Sequence, residues 1–202
     1  MLSGLLLPAP GRGAESAAEV RILVLGDSLS AGYGLPAAEA FPAQLEWALR
    51  QAGKPVRVFN GGVSGDTTAG GLARLDWALA EGPQLVILQL GANDALRGLD
   101  PALAKANLDA ILTRLKADGI AVLLTGMHAP RNLGPAYYNK FDPIYPDLAK
   151  KHQVPLDPFF LEGVALRPEL NLADGLHPNP KGIAVIVQRV LPQVCRLLDG
   201  LR

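Results

Sequence analysis

The chain has 202 residues and a formal net charge of zero at pH 7, with 49% hydrophobic and 5% aromatic residues. This length and apolar content suit one α/β domain with a full core. The balanced charge gives no electrostatic basis for nucleic-acid binding, and the few aromatic residues weaken a base-stacking interpretation. Function is therefore expected to come from a local site.

Residues 1–19 differ in composition from the rest of the chain. A short apolar run at 1–7, which no Lys or Arg precedes, is followed by a segment rich in Pro, Gly and Ala. The pattern indicates the remnant of a signal peptide, with small residues suited to cleavage at 14–18, or a disordered leader. If the segment is a signal peptide, the protein is expected to be periplasmic or secreted. If it is a leader that does not direct export, the protein is expected to be cytoplasmic. No apolar run reaches the about 18 residues of a transmembrane helix.

Residues 20–202 are predicted to form a single domain, because apolar runs alternate with helical patterns and no linker interrupts them. Runs that are apolar on both faces are typical of strands in a parallel sheet covered by helices. The alternation predicts βαβ units. Predicted strands cover residues 21–25, 56–60, 85–90, 121–125 and 154–156. Predicted helices cover residues 37–51, 68–80, 102–117, part of 135–151, and 180–198.

Capping residues mark several helix starts. Asp66, Asp100 and Asn179 are predicted N-caps, and the last two precede a proline at the first helical position. Ligands of such sheets bind at the carboxyl ends of the strands. The segments that follow the first four strands, 26–34, 60–67, 91–97 and 126–134, are therefore where a site is expected.

Ser28 directly follows the first strand and needs a base to become a nucleophile. The chain offers His128, His152 and His177. His152 lies beside two lysines and is predicted to be a solvated surface residue, whereas His128 follows the fourth strand and could line a site. His177 has Asp174 three residues before it, a spacing at which the carboxylate can reach the imidazole Nδ1–H. The Asp-x-x-His pair alone is a weak signal, and together with Ser28 it predicts acyl transfer.

Acyl transfer also needs donors for the developing oxyanion. The glycine-rich segment 60–66 offers backbone N–H groups, and Asn93 can donate from its side chain just past the third strand. Ordinary turn chemistry is the alternative interpretation of both segments. Asp27 and Asp94 are expected to hold their loops rather than to react. No cluster has the spacing of metal ligands, so no metal or other cofactor is expected.

Four segments, taken in order, resemble the GDSL or SGNH hydrolase family, and more narrowly its bacterial thioesterase I/arylesterase group. They are 26–33 (GDSLSAGY), 64–67 (SGDT), 91–94 (GAND, where GGND is common in the group) and 174–178 (DGLHP). The resemblance implies a flavodoxin-like three-layer α/β/α sandwich with about five parallel strands. It also implies Ser28 as nucleophile, Asp174 as orienting acid and His177 as general base. The implied oxyanion hole consists of the Ser28 and Gly65 backbone N–H groups and the Asn93 side chain.

The predicted function is hydrolysis of carboxylic esters, acyl thioesters or both, as in arylesterases, thioesterases and lysophospholipases. His128, Pro130, Leu133 and Tyr137 are expected to wall a pocket for a small acyl or aryl substrate, with a preference for short or medium chains. A carbohydrate acetylesterase is the alternative enzyme, and a non-catalytic flavodoxin-like binding module is a more remote one. The sequence leaves the leaving group and the oligomeric state open.

Overall fold

Five parallel strands form the central sheet of the computed structural model, which describes residues 19–201. The predicted leader therefore lies, apart from Glu19, outside the described residues. The spatial order is β2-β1-β3-β4-β5, which is the strand order of a doubly wound sheet. In this order β1 is an interior strand, between β2 and β3. The strands are β1 (Val20–Gly26), β2 (Val56–Gly62), β3 (Leu85–Gln89), β4 (Ala121–Thr125) and β5 (Leu156–Asp157).

Helices cover both faces of this sheet. The connection through α2 leads from β1 to its neighbour β2 on one side, and the connection through α6 leads from β3 to β4 on the other. Right-handed crossovers in opposite directions place these two helices on opposite faces. Accordingly, α2 packs with α9, and α6 packs with α3 and α8. The helices are α1 (Ser28–Ala31), α2 (Phe41–Gln51), α3 (Thr68–Ala73), α4 (Leu75–Ala78), α5 (Ala92–Leu96), α6 (Pro101–Ala117), α7 (Pro135–Phe141), α8 (Ile144–His152) and α9 (Pro180–Gly200).

Several element boundaries differ from the predicted ones. The helix predicted at 37–51 begins only at Phe41. Pro42 has no N–H to donate and its ring clashes with a preceding helical turn, so it is tolerated only in the first turn of a helix. The stretch 68–80 divides into α3 and α4 at Arg74, and 135–151 divides at Pro143. The last strand lies at Leu156–Asp157 rather than at 154–156. The short helix α5 was not predicted.

The predicted caps of α6 and α9 are confirmed. Asp100 accepts a hydrogen bond from Ala102 N–H, and Asn179 accepts from the first turn of α9. The predicted cap of α3 is wrong, since the Thr67 side chain caps that helix and Asp66 instead pairs with Arg74. Thr and Asp are both good caps, so the sequence alone does not decide between adjacent candidates.

His152 is not the solvated residue that its lysine neighbours suggested. Its side chain is only 7% exposed, and its Nε2 lies 2.6 Å from Asp109 Oδ1. The residue is at the end of α8, and Asp109 lies on α6, which packs against that helix. The contact between the two helices therefore buries His152 against a partly exposed carboxylate, which the local sequence pattern does not reveal.

β2 forms one edge of the sheet, and side chains of α2 cover part of its backbone. Val58 N–H donates to Glu46 Oε2 at 2.6 Å, and Arg50 Nε donates to the Val56 carbonyl at 3.0 Å. These bonds satisfy groups that an edge strand otherwise presents to solvent.

Among residues 19–201, no helix is long and apolar enough to cross a membrane.

The strand register brings the ends of three strands together. Gly26 at the end of β1 is paired with Gly62 of β2 and with Gln89 of β3. The loops that follow these strands therefore begin side by side at the carboxyl edge of the sheet, with the loop after β1 in the middle.

Candidate active site

Ser28 is the first residue of α1, a single helical turn directly after β1. Asp27 caps this turn by accepting the Leu29 N–H at 3.0 Å, and Gly32 ends it in the left-handed conformation. A Cβ at Gly26 would lie 2.2 Å from Ser30 Oγ, so the tight exit from the strand requires glycine there. The turn thus holds the Ser28 side chain above the end of the sheet.

Asp27 is fully buried beneath this turn. Its Oδ2 has no hydrogen-bond partner among the described residues. Burial raises the pKa of Asp27 to about 6, although the Leu29 N–H, Gln89 and the nearby His177 act in the opposite direction. The side chain holds the loop, as expected, and its Oδ1 is directed to the cap rather than to His177.

Ser28, His177 and Asp174 form a continuous hydrogen-bonded chain. His177 Nε2 lies 2.9 Å from Ser28 Oγ, and His177 Nδ1 lies 2.7 Å from Asp174 Oδ2. The other carboxylate oxygen of Asp174 accepts the backbone N–H groups of His177 at 3.0 Å and Leu176 at 2.9 Å. These two backbone bonds, followed by the bond to the imidazole, lower the pKa of Asp174 to about 2. The carboxylate therefore stays ionised at neutral pH and can hold the imidazole in one tautomer.

Three potential oxyanion donors lie on the loops after β1, β2 and β3. The backbone N–H groups of Ser28 and Gly65 make no hydrogen bond within residues 19–201. Gly65 adopts a φ of +86°, a conformation that favours glycine. Asn93 Nδ2 uses one of its two N–H groups to donate a hydrogen bond to the Asp66 carbonyl at 2.9 Å, which leaves the second N–H available. Asp94 instead accepts the Thr68 N–H and hydroxyl, and so joins α5 to α3.

A largely apolar cavity of about 410 Å³ opens over Ser28. Its wall includes the groups described above, namely Ser28, Gly65, Asn93 and His177. No group of three or more His, Cys, Asp or Glu residues in the described part of the chain is arranged to hold a metal ion. The remaining wall residues are Leu29, Tyr33, Ser64, Ala92, Leu96, Met127, His128, Pro130, Phe159, Leu161 and Leu176.

Sequence comparison agrees with this geometry. The pattern of the GDSL-like Lipase/Acylhydrolase family matches residues 24–185, which include every group of the hydrogen-bonded chain. The chain belongs to this family. The prediction made from the four sequence segments is thereby confirmed.

Relatives within the GDSL-like family carry esterase names. An arylesterase of Vibrio mimicus is 44% identical over 186 residues, which cover 92% of this chain and 93% of the relative. Esterase TesA of Pseudomonas aeruginosa is 42% identical over 185 residues, which cover 91% of this chain and 92% of the relative. The crystal structure of AlinE4, an SGNH-hydrolase family esterase, has 49% identity and a TM-score of 0.76, and the match covers 90% of this chain and 98% of that one. The predicted SGNH hydrolase fold and the predicted class, a carboxylic ester hydrolase, are confirmed.

Two of the four residues predicted to wall the pocket lie in it. His128 stacks on Phe159, with ring centroids 4.4 Å apart, and Pro130 lies beside it in the wall. Leu133 and Tyr137 are not among the residues that line the cavity, so the structure places them outside the predicted pocket wall. The Tyr137 hydroxyl donates to the Leu99 carbonyl at 2.7 Å, because α7 directs that side chain toward α5 and α6.

Several wall residues of this GDSL-like hydrolase were not among those predicted from its sequence. Phe159 and Leu161 follow β5, so the rule that ligands bind at the carboxyl ends of parallel strands points to them. Tyr33 lies against the His177 ring, with centroids 4.5 Å apart. Its position next to the Gly32 turn gave no signal of this contact.

Proposed function

We propose that this chain hydrolyses carboxylic esters and acyl thioesters through an acyl-enzyme in which Ser28 is the nucleophile. The continuous hydrogen-bonded chain from Asp174 through His177 to Ser28, at the floor of an apolar cavity, is the observation that carries this proposal. Family membership and the esterase names of the relatives support it.

In the first step, Ser28 Oγ attacks the substrate carbonyl carbon while His177 Nε2 takes the hydroxyl proton. The carbonyl π electrons move to oxygen, and the resulting tetrahedral oxyanion is held by the Ser28 and Gly65 N–H groups and by Asn93. The oxyanion then reforms the carbonyl, the bond to the alcohol or thiol breaks, and the imidazolium protonates that leaving group.

In the second step, water repeats the sequence on the acyl-enzyme. His177 takes a proton from the water, the hydroxide oxygen bonds to the acyl carbon, and Ser28 leaves with the proton of the imidazolium. The products are a carboxylic acid and the free enzyme. Asp174 stays ionised throughout, because its backbone hydrogen bonds keep its pKa near 2.

The wall of the cavity supports a small acyl or aryl substrate. Its side chains are mainly aliphatic and aromatic, with Leu29, Met127 and Phe159 among them. Such a wall stabilises an apolar group by burial, whereas a sugar needs several polar partners. The cavity thus favours acyl and aryl esters over an acetylated carbohydrate, and we expect short or medium chains to be turned over fastest. Turnover that peaks on long-chain esters or thioesters would overturn this expectation.

Replacement of Ser28 by Ala tests the proposal directly. The variant should lose at least about 10³-fold in kcat on a p-nitrophenyl ester and should no longer react with a fluorophosphonate probe, because only an activated serine does so. Ser64→Ala is the matched control, since Ser64 lies in the same cavity without a bond to His177. Labelling of a folded Ser28→Ala protein at the wild-type rate would exclude Ser28 as the nucleophile and leave a binding module or another nucleophile.

We further propose that the enzyme acts in the periplasm or outside the cell. The apolar run and the small residues within 1–19 support export. The intact mass of protein from its native host should correspond to a chain that begins between residues 14 and 19. A mass that includes residues 1–13 would indicate that the segment is not cleaved.

A further inference from the structure

Arg74 joins the loop that carries the nucleophile to the loop that carries Gly65. The side chain follows α3 and is 17% exposed. Its Nη2 donates to the Gly26 carbonyl at 2.9 Å, two residues before Ser28. Its Nε donates to Asp66 Oδ2 at 2.6 Å, one residue after Gly65. One rigid planar group therefore spans the two loops between which the oxyanion must form.

The position of Asp66 affects two of the three proposed oxyanion donors. Its own peptide follows Gly65, so a shift of Asp66 moves the Gly65 backbone. Its carbonyl accepts the Asn93 amide at 2.9 Å and so determines which way that amide faces. A Cβ at Gly70 would lie 2.7 Å from Asp66 Oδ1, so glycine leaves room for the carboxylate beneath Arg74.

We propose that Arg74 is a positioning residue of the reaction: its guanidinium, bonded to Gly26 and Asp66 together, fixes the spacing between Ser28 and the oxyanion donors Gly65 and Asn93. This inference rests on the proposed function. The donors must match the oxyanion of the transition state more closely than the substrate carbonyl, and small displacements of such groups are costly. Loss of the guanidinium therefore lowers kcat and leaves KM nearly unchanged.

A second tie to the same loop comes from Arg97, whose Nη2 donates to the Gly65 carbonyl at 2.8 Å. Arg97 is exposed, and among residues 19–201 its guanidinium bonds only this one neutral acceptor. Arg74, in contrast, pairs with a carboxylate of similarly low exposure and also bonds the strand that leads to Ser28. The geometry therefore assigns the spacing to Arg74.

The test compares Arg74→Met and Arg74→Lys with the wild type in p-nitrophenyl butyrate hydrolysis. We expect kcat of Arg74→Met to fall about 10²-fold with KM within about threefold, because a misplacement of this kind costs that much. Arg74→Lys should recover part of the loss, since its ammonium can bond either acceptor but lacks the planar fork that spans both. Arg114→Met is the matched control: the Arg114 guanidinium likewise bonds two acceptors, the carboxylates of Asp76 and Asp118, but lies on α6 outside the cavity wall, and its removal should leave kcat unchanged.

The outcomes separate this inference from the proposed function. Wild-type kcat in folded Arg74→Met, with Ser28→Ala inactive, overturns the role of Arg74 and leaves the proposed function intact. Activity in Ser28→Ala overturns both. A raised KM at constant kcat also overturns the role of Arg74, since that pattern indicates lost binding rather than lost positioning. If circular dichroism shows Arg74→Met unfolded, Arg74→Lys decides: a kcat loss of fivefold or more at constant KM supports the proposal, and a smaller loss overturns it.

Discussion

Burial of the Asp27 carboxyl can be tested through the pH dependence of protein stability rather than through enzymatic activity. Its carboxyl has an ordinary pKa of 3.8, and burial raises it to about 6 in the folded protein. The folded state therefore holds a proton that the unfolded chain has already released between about pH 4 and 6. The contribution of Asp27 to stability is therefore largest below this window, falls as the pH rises through it and becomes constant above it. At 1.36 kcal/mol for each pH unit, the loss attributable to Asp27 is about 3 kcal/mol at pH 7.

The change to make is Asp27→Asn. Asn is as good a cap as Asp, and its side-chain oxygen can still accept the Leu29 N–H. The variant carries no charge to bury, so its free energy of unfolding should lack this pH dependence. We expect the difference between variant and wild type to shift in favour of the variant by between about 2 and 3 kcal/mol from pH 4 to pH 7, because the unfolded carboxyl is already partly ionised at pH 4. Urea unfolding followed by circular dichroism at pH values from 4 to 8 measures that difference.

Asp100→Asn is the matched control for this experiment. Asp100 caps α6 through the same kind of hydrogen bond, accepting the N–H two residues on, of Ala102, at 3.0 Å, but it is exposed to solvent. Its replacement removes no burial penalty. A difference between Asp27→Asn and wild type that stays constant with pH, or that shifts toward wild type as the pH rises, would show that the buried carboxylate carries no such penalty. The variant should also keep its hydrolytic activity, since the Asp27 side chain accepts the Leu29 N–H, whereas Asp174 is the carboxylate that lies within hydrogen-bond distance of His177.

Three further substitutions test the site and its support. Asp174→Asn should lower kcat about 10⁴-fold with little effect on KM, because an amide cannot hold the required tautomer; a loss below tenfold in steady-state assays would contradict that role. Tyr33→Leu should lower kcat about two- to fivefold through loss of the aromatic ring beside His177, while Tyr33→Phe keeps wild-type kcat; equal rates for Leu and Phe would exclude a ring effect. Gly91→Ala should destabilise the fold by about 2–4 kcal/mol in urea, because its φ of +113° disfavours alanine and the new Cβ would lie 2.1 Å from Tyr145 Oη; wild-type stability would show that the loop relaxes freely.

The sequence predicted the sheet well where its signal was strong. β1, β3 and β4 are apolar on both faces, and their hydrophobic runs located them within one or two residues. β5 has only two residues, too few to show a period, and it was placed too early. The helix break at Arg74 carries no local signal, because packing against neighbouring elements decides whether that helix continues. The break at Pro143 does carry one, since a proline has no N–H to donate and clashes with the preceding helical turn.

The part of the site that consists of short sequence motifs could be predicted from the sequence. The geometry of Ser28, Asp174 and His177 depends on residues that lie within a few positions of one another or directly follow a strand. The cavity wall was not predictable in the same way. Whether Tyr137 or Phe159 enters the cavity depends on the path of α7 and on the position of β5, and both are set by tertiary packing. Arg74 gave no sequence signal, because its two partners lie 48 and 8 residues away.

The covered edge of β2 has a consequence for how copies of this protein meet. An edge strand of seven residues could accept a strand from another molecule and extend the sheet. Glu46 and Arg50 occupy one backbone donor and one acceptor of that strand, so an incoming chain must first displace both side chains. At the opposite edge, β5 has only two residues, too short to template a ladder. Addition of a strand from a second folded copy is thus obstructed at both edges of the sheet.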